Sequence, residues 1–206
     1  FDNPDGVFVY SADGEEFFPE YGMELMPGDK IKTTISSAEL RLDPNKSLIK
    51  LATNTEFVVD TLQNRGGAEA NTFSLVSGKV RAVFSKDGAS QYQVGMQSAV
   101  MGVRGTKVGV EYMPGKVAKL LLQSGAASLT NLLTGVTLDL EPGQFADALA
   151  DTFEAITATS EEMAEFFQGI EAFQGENLDE DGVPGNEPVP TDESTTTEEA
   201  STDSAP

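Results

Sequence analysis

From Val7 to about Leu140 the apolar residues fall in short alternating or continuous runs, and none of them keeps the three-to-four-residue period of a helix. In the stretch 37–43, Ala38, Leu40 and Leu42 take one face of an extended chain and Glu39, Arg41 and Asp43 the other, as a half-buried strand requires. The stretches 79–84 and 107–112 repeat the alternation, and 118–123 is more continuously apolar, the pattern of a strand buried on both faces. Turn-forming pairs separate the runs: Pro27-Gly28, Asp43-Pro44, Ser77-Gly78, Asp87-Gly88, Ser124-Gly125, Thr134-Gly135 and Pro142-Gly143. Their spacing, mostly about 8–12 residues, predicts a mainly β domain over residues 1–145, a sandwich or roll of roughly ten or more short strands. No internal period with matching residues marks a regular solenoid.

Beyond Gly143 the pattern changes. Phe145, Ala146, Leu149, Phe153 and Ile156 fall roughly on one side of a helix. A second helix follows, with Thr159 as its cap and Glu162 completing a capping box, and with Met163, Phe166, Phe167, Ile170 and Phe173 as its apolar stripe. These one or two helices make a helical segment over 146–175, which Gly175 ends. Residues 176–206 hold ten acids, no base and few large apolar side chains, so burial cannot offset the entropy of ordering them. They read as a disordered acidic tail.

Composition narrows the chemistry. The 206 residues include no Cys and no His, which removes disulfides, thiolate metal sites and the usual near-neutral general base. Catalysis is not expected, and neither is a cofactor. The net charge of −21 is uneven: residues 1–29 carry eight acids and no base, while all 13 Lys and Arg lie between Lys30 and Lys119 among seven acids. From residue 120 onward there are 19 acids and no base. That balance excludes nucleic acid as a partner, since phosphate needs a cationic surface. No run approaches the roughly 20 apolar residues of a transmembrane helix. The start at Phe1 fits the end left by signal-peptide removal or a trimmed chain.

Five segments recur in a recognisable order. They are Pro27-Gly28-Asp29-Lys30-Ile31-Lys32-Thr33, Ser77-Gly78-Lys79-Val80, Gly102-Val103-Arg104-Gly105-Thr106, Gln123-Ser124-Gly125 and Glu141-Pro142-Gly143. This set resembles the FecR family, whose members show a Gly-Asp-x-Ile-x-Thr segment, a Gly-x-Val segment and a Val-Arg-Gly-Thr core in that order. The resemblance covers about residues 20–145 and implies the β module. It also implies an extracytoplasmic place, periplasmic or secreted, because founding members are inner-membrane sensors. Their periplasmic domain meets an outer-membrane transporter while a cytoplasmic segment controls a sigma factor. Neither a membrane helix nor a cytoplasmic segment is expected in this chain, so only the extracytoplasmic module carries over. The motif positions Gly28, Asp29, Thr33, Gly78, Gly102, Val103, Arg104, Gly105 and Thr106 are either structural or partner-facing.

Within the core motif, Gly102 and Gly105 fit a bulge or sharp bend. The Arg104 fork either pins carbonyls or an acid such as Asp29, or faces a partner. Thr106 reads as a strand hydroxyl satisfying backbone, because no base is present to make it a nucleophile. Asn177, Asp179 and Asp181 resemble the start of a calcium loop, but Gly185 and Pro188 stand where its later ligands belong. The acid pairs Glu15-Glu16 and Glu161-Glu162 read as solvated faces, since adjacent carboxylates point apart. The stripe from Met163 to Phe173 either docks on its own core or binds a partner. Three functions follow: a module binding another envelope protein, in envelope sensing; a structural subunit assembling with copies of itself; and binding of cell-wall glycan or peptide, which the absence of Trp disfavours.

Overall fold

The alternating runs become strands. The computed structural model describes residues 1, 3–63, 70–85 and 91–171. Six strands come first: β1 (Val7–Tyr10), β2 (Glu16–Phe17), β3 (Lys30–Thr33), β4 (Ala38–Leu42), β5 (Ser47–Leu51) and β6 (Glu56–Thr61). Then come β7 (Asn71–Val83), β8 (Tyr92–Gly95), β9 (Ala99–Met113) and β10 (Val117–Asn131). The chain continues through β11 (Thr137–Leu140), β12 (Gln144–Asp147), β13 (Ile156–Thr157) and one helix, α1 (Ser160–Phe167). The 13 strands of the described residues belong to one hydrogen-bonded sheet that ends at β13 on one side and β2 on the other.

Three strands are long, and each serves two halves of that sheet. The first half of β7 pairs with β6 and β8, and its second half with β5 and β9. β9 and β10 run side by side throughout, but β10 passes from β12 at its start to β11 at its end. The buried positions switch parity on the way. In β7 they pass from Phe73 and Leu75 to Val80 and Ala82; in β9 from Met101 and Val103 to Val108 and Val110; in β10 from Leu120 and Leu122 to Ala127 and Leu129. Each switch falls at a glycine with positive φ: Gly78 (103°), Gly105 (60°) and Gly125 (90°). The ladder slips beside them, between Leu122 and Ser124 and again between Ser124 and Ala126. A bulge inserts an unpaired residue and so exchanges the faces of everything after it. One hydrophobic core therefore stays enclosed by both halves of the sheet. Ser77-Gly78 and Ser124-Gly125, read from sequence as turns between short strands, are bends inside long ones.

The helix expected from Phe145 to Ile156 does not form. Phe145 and Ala146 lie in β12, opposite Leu121 and Leu120 of β10. Neighbouring residues thus point to opposite faces, Ala146 into the main core and Phe145 outward. Asp147 fixes this path: its Oδ1 accepts from the backbone N–H of Ala118 and of Leu149, both at 2.9 Å. The continuous apolar run 118–123 is indeed covered twice. Leu120 and Leu122 face the main core, and Leu121 lies beneath α1. Asp87-Gly88, Phe173 and the tail 176–206 lie outside the described residues.

Candidate functional site

The first motif builds a turn and a hub. Pro27 and Gly28 occupy the centre of a β-turn in which Asp29 N–H donates to the Met26 carbonyl at 3.0 Å, and Gly28 has the positive φ (97°) of a type II turn. The Asp29 carboxylate accepts from Met26 N–H at 2.8 Å, so its role is in the turn. Thr33 is buried; its hydroxyl donates to the Ala52 carbonyl at 2.5 Å and accepts from Thr55 N–H at 2.9 Å. The Thr55 hydroxyl in turn accepts from Lys79 N–H at 3.2 Å. At Gly78 a side chain would meet Thr55 Cα at 2.6 Å. The first two motif segments thus meet at Thr55, where β3, β6 and β7 join.

The Val-Arg-Gly-Thr segment forms the second bend. Val103 is buried, Arg104 is exposed, and Gly105 and Thr106 are buried where β10 slips register. Gly102 has ordinary extended backbone, and a Cβ there would come 3.2 Å from Ser128 Oγ; only Gly105 carries unusual φ. The Thr106 hydroxyl has no hydrogen-bond partner among the described residues. The expectation that it satisfies backbone is therefore corrected: its methyl packs against Gly125 and its carbonyl accepts from Phe84 N–H at 2.8 Å. Among the described residues no cluster of three acids could hold a metal, and the calcium candidates Asn177, Asp179 and Asp181 lie outside them.

The described part of the expected stripe lies against the sheet, but the helix ends at Phe167 rather than at Gly175, so Ile170 falls beyond it, and Phe173 is outside the described residues. Phe166, Phe167 and Ile170 are buried with Leu121, and Met163, Phe145 and Ala52 pack around them. Lys79 lies over the Phe166 ring at 4.9 Å and donates to the Phe166 carbonyl at 3.1 Å. Arg81, 5% exposed, places its guanidinium 4.9 Å from the Phe167 ring centre and donates to Gln123 Oε1 at 3.1 Å. Cations over aromatic faces offset their own desolvation in this way. Gly109 leaves the slot for both rings, since a Cβ would lie 2.4 Å from Phe166 and 2.8 Å from Phe167. At the start of α1, Thr159 and Glu162 form the expected capping box. The backbone N–H of Thr159, then its hydroxyl, hold the Glu162 carboxyl below its ordinary range. Sequence reasoning did not single out Lys79, Arg81 or Gly109; the signal was two cations and a glycine at outward positions of strands whose neighbours are apolar.

What remains open lies at the other end of the sheet. Among the described residues β2 pairs with β1 alone, Val9 opposite Phe17 and Tyr10 opposite Glu16. Phe17 continues the core-facing row of Val9 onto the last strand and is 43% exposed. Phe18 and Tyr21 are 93% and 98% exposed. On the opposite face Glu16, Tyr10 and Lys30 follow one another across the strands, and Glu56 of β6 lies diagonally from Lys30. Lys30 lies 5.2 Å from the Tyr10 ring centre and 3.3 Å from the Glu56 carboxylate. Partial desolvation and the Glu16 carboxylate raise the Tyr10 phenol above its ordinary value. Sequence reasoning also passed over these aromatics; the adjacent Phe17-Phe18 in an acid-rich stretch was their signal.

Residues 29–128 match the family model described as FecR protein. Two crystal structures of a candidate anti-sigma factor from Parabacteroides distasonis ATCC 8503, solved at 2.50 and 1.65 Å, resemble this chain with a TM-score of 0.56 at 12% identity. The likeness covers 68% of this chain and 64% or 65% of those chains, and it speaks for the fold alone. No curated protein sequence matches this one.

Proposed function

We propose that this chain, which carries a FecR domain, is a non-enzymatic extracytoplasmic module that binds another protein in cell-envelope sensing, and that the β2 edge is its contact surface. The observation that carries the reading is the division of roles along the chain. In this reading the motif residues Gly28, Thr33, Gly78, Gly105 and Thr106 serve the fold, as the Thr33 hydroxyl bond supports, while the aromatics in and after β2 are left exposed. Exposed aromatic side chains beside an open strand edge are what a protein contact uses and a solvated surface avoids. The absence of His and Cys accords with a binding role. Among the described residues no helix is long and apolar enough to cross a membrane.

Photo-crosslinking in the intact envelope tests this. A photoreactive residue placed at Phe18 or Tyr21 should give one discrete adduct with another protein, and the same residue at Lys116, in the distant β9–β10 turn, should give none. Equal labelling from all three positions, or none from any, refutes the reading.

A further inference from the structure

We infer that the partner presents an extended segment rich in lysine or arginine, which adds as a further strand to the outer edge of β2. This rests on the reading above and names the chemistry of the partner. β2 is the last strand of the sheet, and among the described residues nothing pairs with its outer side. Backbone groups along such an edge accept an added strand. Two residues of strand supply few hydrogen bonds, so side chains must contribute the rest. Phe17, Phe18 and Tyr21 supply apolar anchors.

Charge selects the occupant. Asp13, Glu15, Glu16, Glu20 and Glu24 surround those aromatics in sequence, all five are exposed, and residues 1–29 contain no base. A second copy pairing edge to edge would bring its own Glu15 and Glu16 against these, and like charges directly opposite are destabilising. An anionic lipid surface is repelled for the same reason. A strand alternating cations with apolar residues satisfies both faces: its cations meet the carboxylates and its apolar side chains join Phe17 along the core-facing row.

The test uses the full chain and a peptide of about ten residues alternating lysine with valine or threonine. Titration followed by nuclear magnetic resonance should shift the backbone amides of residues 13–18, and a glutamate version of the peptide should leave them unmoved. Raising salt from about 50 mM to about 500 mM should weaken binding by about tenfold or more, as should Glu15→Lys with Glu16→Lys. Phe18→Ser should weaken binding without removing the salt dependence. No shift at 13–18, or shifts confined to the acidic residues 176–206, overturns the inference. Failure here with a Phe18 adduct in the envelope leaves the protein-binding role standing and removes the cationic strand. A bound peptide without any envelope adduct does the reverse.

Discussion

Gly125→Ala adds one methyl group where β9 and β10 change register, and the consequence can be worked out from the neighbours. The new Cβ would lie 2.4 Å from the Gly105 carbonyl oxygen, 2.7 Å from Thr106 Cγ2 and 2.9 Å from Thr106 Cα. Two of these three are main-chain atoms, so relief requires the strands to part. Gly115, in the β9–β10 turn, separates this effect from backbone conformation. It has a similar positive φ (70° against 90°), and nothing lies within 4 Å of its Cβ position. Gly115→Ala should lose about 1 kcal/mol, the cost of placing an L side chain in the left-handed region. Gly125→Ala bears that cost and the overpacking as well, so about 3 kcal/mol is expected. The corresponding falls in melting temperature are roughly 2–4 °C and 6–12 °C for a domain of this size. Guanidinium chloride denaturation followed by circular dichroism gives both values, provided the two slopes agree. A difference between the variants under about 0.5 kcal/mol would refute the close packing of the two bends.

Arg81→Met keeps an apolar stem beneath Phe167 but removes the guanidinium; stability should fall by about 1 kcal/mol and the amides of α1 should exchange faster with solvent. Thr106→Val replaces a buried hydroxyl that has no partner with a methyl of similar shape, and the denaturation midpoint should stay level or rise by up to about 1 kcal/mol in stability terms. A marked fall would mean that the hydroxyl is satisfied after all. The Glu162 carboxyl is held below its unfolded value of 4.5, so the stability it contributes is present above that pH and lost as pH falls through the lower folded value. Protection of the α1 amides should therefore drop below about pH 4.5 in the wild type, and Glu162→Gln should be less protected at neutral pH and lose this pH dependence.

The strands and their faces were legible because period-two burial leaves its trace in any strand with one dry side, as Ala38, Leu40 and Leu42 show. The bends were not, because a Ser-Gly pair looks the same whether the chain reverses or only bulges. The distinguishing mark was present but easily passed over. Leu75 and Val80 are five apart, as are Leu122 and Ala127, an odd spacing that no uninterrupted strand can place on one face. The helix misassigned over Phe145 to Ile156 has a related cause. Apolar residues three and four apart also arise when a two-sided strand is followed by a loop that packs on the core, as Leu149 and Phe153 do. Only the long-range bonds of Asp147 to the start of β10 decide between them, and spacing along the sequence does not report such contacts.

The region matched to the family model, residues 29–128, holds two of the three long strands entire and all three bends, whereas β1, β2 and α1 fall outside it. Those outer parts have opposite fates. α1 turns its apolar stripe inward, and Lys79 and Arg81 stand under its two rings, so the basic outward face of β7 is already occupied by the chain itself. The segment after β2 leaves Phe18 and Tyr21 exposed in a stretch, residues 1–29, that holds eight acids and no base. A partner approaching the β7 face would first have to displace two buried phenylalanines and their cations, while among the described residues nothing pairs with the outer side of β2. Under the proposed function that asymmetry assigns recognition to the N-terminal edge, so that a fold bent at its glycines and tied at Thr33 would take a binding surface that none of its motif residues supplies.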